Sequence, residues 1–240
     1  MINPTLVKAP GRDTSGAPAT LQVDIIADLV CPWCYLGKRR LDGALLAVHG
    51  PSLVTWYPYR LNPEIPESGV SFEEYLASRF GDPKTLQPAL AELTIAGKAE
   101  GINFNFDRVS RIPNTLNAHR IMKLSETEGV GVSGLAESLF KGFFQEGLDI
   151  SNRDVLVELG SRAGLSSRSI NQTLDDEASR RPVLAQESQV RRGGVTGVPD
   201  FLVNKRLFVI GAQSTENLVN VFDRAMFGEE SDRPVSPVIH

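Results

Sequence analysis

The sequence predicts an α/β fold, a mixed sheet whose chain is interrupted in the middle by a long helical block. Three observations carry this reading. Short apolar runs rich in β-branched residues lie near the two ends, at Leu21–Asp28, Leu53–Tyr59, Asp200–Asn204 and Leu207–Ile210. The stretch between the second and third runs has helical periodicity throughout. The resulting order is strand, helix, strand, helical block, hairpin, helix, so a βαβ unit is completed by an antiparallel hairpin and a last helix.

Each element has a local reason. Leu21–Asp28 (LQVDIIAD) follows Gly/Pro-rich sequence and reads as a buried strand. Tyr35–Val48 reads as a helix, with Leu36, Leu41, Leu45 and Val48 on one side, Lys38, Arg39 and Arg40 on the other, and Gly50-Pro51 as its stop. Pro58 places the second strand at an edge or makes it end there. Helices are predicted over 72–80, 85–100, 115–128, 133–145, 153–163 and 177–192. Asn152 and Ser166 are the expected N-caps, and Gly129 and Gly147 the expected stops. Lys205-Arg206 separates the hairpin strands, Thr215–Phe227 forms the closing amphipathic helix, and Arg191 and Arg192 read as a solvated helix end.

Composition excludes several functions. At 240 residues, with 41% hydrophobic and 22% charged residues, the chain reads as an ordinary soluble globular protein. A formal net charge of -4 leaves no basic footprint for nucleic acid. No apolar run approaches the ~20 residues of a membrane span. Residues 1–20 lack the apolar segment of a secretory signal and read as a flexible tail, as do 228–240. That places the protein in the cytoplasm, where paired cysteines are more often catalytic or metal-binding than structural.

The chemistry centres on Cys31-Pro32-Trp33-Cys34, which holds both cysteines of the chain at a strand-to-helix junction. A helix N-terminus offers unpaired N–H groups and the positive end of the macrodipole, so it favours an anion. Pro32 suits the first turn because it has no N–H to leave unsatisfied. Cys31 is then expected at the cap, its sulfur accepting those N–H groups as the attacking thiolate, with Cys34 one turn further in as the resolving thiol. A free thiol with a pKa of ~8.5 is only about 3% ionised at neutral pH, whereas motifs of this type reach roughly 3.5–7.5. Structural zinc would need four ligands, and His49, His119 and His240 supply no second pair. No metal is expected.

Cys31-Pro32-Trp33-Cys34-Tyr35-Leu36-Gly37-Lys38 after a strand ending in Asp28 closely resembles the DsbA-like thioredoxin family, in its FrnE-like branch. That branch is related to 2-hydroxychromene-2-carboxylate isomerases and kappa-class glutathione transferases. Further matching residues are Arg60-Leu61-Asn62-Pro63, Asn114-Thr115, Ala118-His119-Arg120, Gly194 through Pro199, and Gly211-Ala212-Gln213. The resemblance spans about Leu21 to Phe227. It implies a thioredoxin-like core at 21–63 and 193–227, an inserted all-helical domain at 64–192, and disulfide oxidase, reductase or isomerase activity.

It also implies that Pro199 is a cis proline beside the dithiol, with Val198 offering its backbone to an extended substrate. Pro32, Trp33, Val198, Pro199 and Asn114 are the expected substrate-binding residues. His119 is expected to be a satisfied or exposed histidine rather than a site residue. The isomerase and kappa-class relatives use serine where this chain has Cys31, so dithiol chemistry is favoured. The alternative is a glutathione-dependent isomerase or transferase acting on a small aromatic or electrophilic compound. The expected partners are protein or peptide thiols and disulfides, or glutathione as a co-substrate, with no tightly bound cofactor. Helical insertions with exposed apolar faces often dimerise, which makes a homodimer an expectation. Asp200 departs from the pattern after the proline: facing the dithiol, its carboxylate would weaken the nucleophile, and facing solvent it would change little.

Overall fold

A computed structural model of the chain describes residues 20–228. The two tail expectations therefore fall almost wholly outside the described residues. The first strand, β1 (Leu21–Ala27), is buried at every position except Gln22. Helix α1 (Pro32–Leu46) follows and β2 (Ser52–Pro58) returns parallel to β1, with Ala27 opposite Pro58 at the strand end. β2 is an edge strand, where a residue without an N–H costs no ladder bond.

The chain then runs through β3 (Val70–Ser71), α2 (Phe72–Phe80), α3 (Gln87–Ala99) and β4 (Arg111–Ile112). Next come α4 (Leu116–Glu128), α5 (Val132–Phe144), α6 (Arg153–Arg162), α7 (Ser167–Asp175) and α8 (Arg180–Arg192). β5 (Asp200–Val203), β6 (Leu207–Ile210) and α9 (Thr215–Phe227) complete the fold. The main sheet has the order β2-β1-β5-β6, with β5 antiparallel to both β1 and β6. β3 and β4 form a separate two-residue antiparallel pair within the helical block.

Alternation along the strands sorts side chains onto two faces. Val23, Ile25, Ala27, Trp56, Phe201 and Val203 join the main core with Leu36 and Leu41 of α1 and Leu218 and Phe222 of α9. That core continues into α4 to α7 through Ile121, Leu139, Phe140, Leu159 and Ile170. Ile26 lies on the opposite face, packed with Tyr59 and with Val190 of α8. α8 reaches across to β2 and α4 and so covers the β1–β2 half of this second face.

Several caps follow from side-chain chemistry. The Asn152 side chain accepts from the N–H groups of Asp154 and Val155, and Ser166 accepts from Ser169 N. Gly129 closes α4 in the left-handed region at φ 68°, a conformation that favours glycine. Arg191 and Arg192 are exposed at the end of α8, as the sequence reads, and the Arg191 guanidinium in addition lies 4.0 Å over the Tyr59 ring and pairs with buried Glu187 at 2.9 Å. The tyrosine face and the buried carboxylate hold it against the sheet.

Candidate active site

Residues Asp28 to Cys31 turn the chain from β1 into α1, and Cys31 N donates to Asp28 O at 3.1 Å. Cys31 is the N-cap, with extended backbone angles, and Pro32 occupies the first helical turn. No acidic side chain lies in that turn, so nothing there opposes a thiolate. The two cysteines approach to 3.2 Å and both are free thiols. Cys31 is 4% exposed and Cys34 fully buried, while Trp33 between them is 40% exposed. Burial first, and then the Cys31 side chain, hold the Cys34 thiol well above the ordinary thiol range.

The sulfur of Cys31 differs from the sequence expectation in one respect. It makes no capping hydrogen bond to the first-turn N–H groups. Instead Sγ donates to the Val198 carbonyl at 3.7 Å, because a protonated thiol has a hydrogen to give and the carbonyl is within reach. The Val198–Pro199 peptide bond is cis. The two motifs, 167 residues apart in sequence, therefore meet in space. Gly37 permits this approach: a Cβ there would lie 3.0 Å from Pro199 Cγ and 3.3 Å from Phe201 Cζ.

Behind Cys34 lies a residue that sequence reasoning missed. Asp28, 1% exposed, contributes to the rise in the Cys34 pKa through its charge. Its carboxylate accepts from Leu29 N at 2.8 Å and Leu61 N at 2.7 Å, and meets His119 Nε2 at 3.2 Å. His119 is buried and its Nδ1 has no partner. It is thus bound to the floor of the site. The available signal was an acid at the end of the strand, three residues before Cys31.

The remaining side chains anchor α1. Tyr35 Oη donates to Glu137 at 2.8 Å and Lys38 Nζ pairs with the same carboxylate at 2.7 Å. Burial opposes the Glu137 charge, but Lys38, Tyr35 and Arg39 outweigh it and lower that carboxyl. Burial together with Glu137 pushes the Tyr35 hydroxyl up. Asn114 is occupied within the fold: its Nδ2 donates to Ile65 O at 2.6 Å and its Oδ1 accepts from Leu116 N at 3.0 Å. No group of three or more His, Cys, Asp or Glu among the described residues is placed to hold a metal ion.

Cavities lie beside α8 and beside the cis-proline segment. One, of about 490 Å³, lies between the segment after β2 and α8 and is lined by Arg60, Pro63, Glu187, Arg191 and Arg192. The other, of about 300 Å³, adjoins Val198 and Pro199 and is lined by Val195, Asp200, Phe208 and Ile210.

The DSBA-like thioredoxin domain model matches residues 22–223. The chain belongs to the DsbA-like thioredoxin family. Among curated relatives of this DsbA-like chain is the uncharacterized protein YwbO of Bacillus subtilis (strain 168). It is 24% identical over 219 residues, covering 89% of this chain and 100% of that protein. A crystal structure of a probable DsbA oxidoreductase from Streptomyces coelicolor superposes with a TM-score of 0.79 at 27% identity, covering 91% of this chain and 94% of that one. The cytosolic disulfide reductase DsbM from Pseudomonas aeruginosa, solved with GSH, has a TM-score of 0.59 at 19% identity, covering 85% and 95%. At that identity DsbM is similar in fold. Among the described residues no helix is long and apolar enough to cross a membrane.

Proposed function

We propose that this DsbA-like chain is a thiol–disulfide oxidoreductase or isomerase in which Cys31 is the nucleophile and Cys34 the resolving thiol. One observation carries the reading: a free cysteine pair at a helix N-terminus, with the outer sulfur against the Val198 carbonyl of a cis Val198–Pro199 segment. In the reducing direction, the Cys31 thiolate attacks a substrate disulfide. One substrate sulfur leaves and takes a proton, and a mixed disulfide remains on Cys31. Cys34 then loses its proton, attacks Cys31 Sγ and expels the second substrate sulfur. Two electrons have passed to the substrate, and the enzyme is left as a Cys31–Cys34 disulfide. Two molecules of a thiol such as glutathione restore the dithiol, the first forming a mixed disulfide on the enzyme and the second releasing it as the oxidised disulfide, and run backwards the substrate steps oxidise a substrate dithiol.

Because burial keeps Cys34 protonated at neutral pH, its proton needs an acceptor inside the fold. The buried Asp28 carboxylate is the charge placed to receive it. Pro32, Trp33, Val198 and Pro199 form the binding surface, with the exposed Trp33 ring as its apolar contact. A substrate role for Asn114 would rest on the resemblance alone.

Topology supports 21–63 and 193–227 as the thioredoxin-like core and 64–192 as the insertion, since β2 and β5 bracket α2 to α8. The FrnE-like branch and a cytoplasmic setting are proposed on the motifs and on the likeness to DsbM, described as cytosolic. The test is reduction of insulin or reactivation of scrambled ribonuclease. Cys31→Ser is expected to abolish either activity, and an active Cys31→Ser variant overturns the assignment.

A second reading, glutathione-dependent turnover of a small electrophile, is favoured by the cavity lined by Arg60, Arg191 and Arg192, whose charges exceed that of Glu187. Such a surface suits the carboxylates of glutathione. It predicts glutathione affinity together with turnover that survives Cys34→Ala.

A further inference from the structure

The Asp200 carboxyl is placed where stability alone would not put it. Asp200 opens β5 opposite Ile26 on one side and Ile210 on the other. Its neighbour Phe201 faces Gly37 of α1, so Asp200 projects from the opposite face of the sheet, away from α1. The residue is only 5% exposed. Both orientations considered from sequence are thus replaced by a third.

The carboxyl has little to compensate its burial. Its one hydrogen bond, from Gly211 N at 3.3 Å, is shared with the Pro199 carbonyl, which takes the same N–H at 2.8 Å. No lysine, arginine or histidine pairs with it among the described residues. Lys205, on the same hairpin, pairs with Asp24. Arg40, which reaches Ala212 O, pairs with Glu100. Burial without a cation accordingly pushes the carboxyl up to about 6, against the weak opposing effect of the Gly211 bond. A buried carboxylate without a partner is costly, and such features persist where a ligand completes them.

The cavity in front of Asp200 fits one kind of occupant. Its volume is about 300 Å³ and its walls are Val195, Phe208, Ile210 and the glycine-rich loop that begins at Gly194. Phe208 is 49% and Ile210 62% exposed, so an apolar platform leads to a single carboxyl. A lysine or arginine side chain has this profile, an apolar stem with a cationic tip. One carboxylate is too few for a calcium or magnesium ion, which takes six or more oxygen ligands. Val198 and Pro199 also line the cavity, and Val198 is the residue whose carbonyl meets Cys31. Only Pro199 separates Val198 from Asp200 in the chain.

We propose that this cavity is a subsite for a lysine or arginine side chain of the peptide or protein whose sulfur reacts at Cys31. The subsite rests on the thiol–disulfide reading and narrows it to substrates with a basic residue near the reacting cysteine.

The experiment uses the full chain in its dithiol form and blocked peptides whose single cysteine is linked through a disulfide to a chromophoric aryl thiol. Lysine, norleucine or glutamate is placed in turn at each of the three positions on either side of that cysteine, and the second-order rate constant of the single turnover is read from release of the chromophore. At one position lysine is expected to exceed norleucine by about tenfold and glutamate by more. In Asp200→Asn, which keeps the shape and the acceptor for Gly211, the lysine-to-norleucine ratio at that position falls to near one. Asp200→Leu gives the same collapse without relying on an amide. Absence of a lysine preference in the wild-type chain, or a preference that survives both substitutions, overturns the subsite while leaving the dithiol chemistry standing. Failure of the wild-type chain to release chromophore from any peptide overturns the parent reading, and the subsite with it.

Discussion

Replacing Asp28 tests both roles assigned to it, as a structural acceptor and as the group that takes the Cys34 proton. Asp28→Ala strips the acceptor from Leu29 N, Leu61 N and His119 Nε2. A buried donor left unsatisfied costs about 1–3 kcal/mol. Leu29 and His119 are buried and Leu61 half-buried, so the expected destabilisation is about 3–6 kcal/mol. With a urea slope near 2 kcal/mol/M, the unfolding midpoint falls by roughly 1.5–3 M. Asp28→Asn separates the two roles. It keeps the shape and one acceptor, so stability drops by about 1–2 kcal/mol, while the negative charge beside Cys34 is gone. Attack by Cys34 on the mixed disulfide should then slow by about 100-fold or more. Because burial holds Cys34 up, the residual rate should climb with pH as solvent hydroxide takes over deprotonation. Acid quenching under turnover, followed by intact-mass measurement, reads the accumulated mixed disulfide. An Asp28→Asn chain that accumulates no more adduct than wild type at neutral pH refutes Asp28 as the acceptor.

Other outcomes follow from the same structure. Folding raises the Asp200 pKa from 3.8 to about 6, so between those values the folded state holds a proton that the unfolded chain releases. Stability is therefore lost as pH rises through that window, and Asp200→Asn should recover about 1–2 kcal/mol at pH 7.5, after discounting for solvent in the open cavity, but nothing below pH 3.5. Urea titrations at both pH values decide it. Arg120, 1% exposed, donates to Ser179, Asn117 and the carbonyls of Thr173, Leu174 and Asp176. Arg120→Met should cost about 3–5 kcal/mol and loosen the α7–α8 junction, measured by unfolding and amide exchange, and a loss under 1 kcal/mol contradicts this. Gly37→Val adds bulk where a Cβ already meets Pro199 and Phe201. It should destabilise by about 1–3 kcal/mol and slow insulin reduction at least about tenfold by parting α1 from the cis-proline segment.

How much of this was legible in the sequence depended on how local each feature is. α9 ends where its periodicity and flanking residues place it, because Ser214 caps it and Gly228 follows it. The hairpin was legible too, although its turn centres on Asn204 and Lys205, whose φ values of 49° and 54° match the twist of a tight antiparallel connection. α7 was not read as a helix, since Ser167–Asp175 offers only Ile170 and Leu174 to the core, even though its cap Ser166 was evident. β3 and β4 are two residues each, too short for any alternation to register. Cys31, Cys34, Val198 and Pro199 carried strong signals and are brought together. Asp28 escaped notice because its partners Leu61 and His119 lie 33 and 91 residues away. The face that Asp200 takes is a matter of strand register, which reverses with a one-residue slip and cannot be read from one strand alone.

The central claim, that Cys31 attacks and Cys34 resolves, is tested most directly by intact-mass analysis of Cys34→Ser after incubation with a disulfide-bonded peptide. A stable one-to-one adduct on Cys31, released by added thiol, is expected, and none in Cys31→Ser. An adduct on Cys34 in the Cys31→Ser chain, or peptide reduction that proceeds in both variants without any adduct, would contradict it.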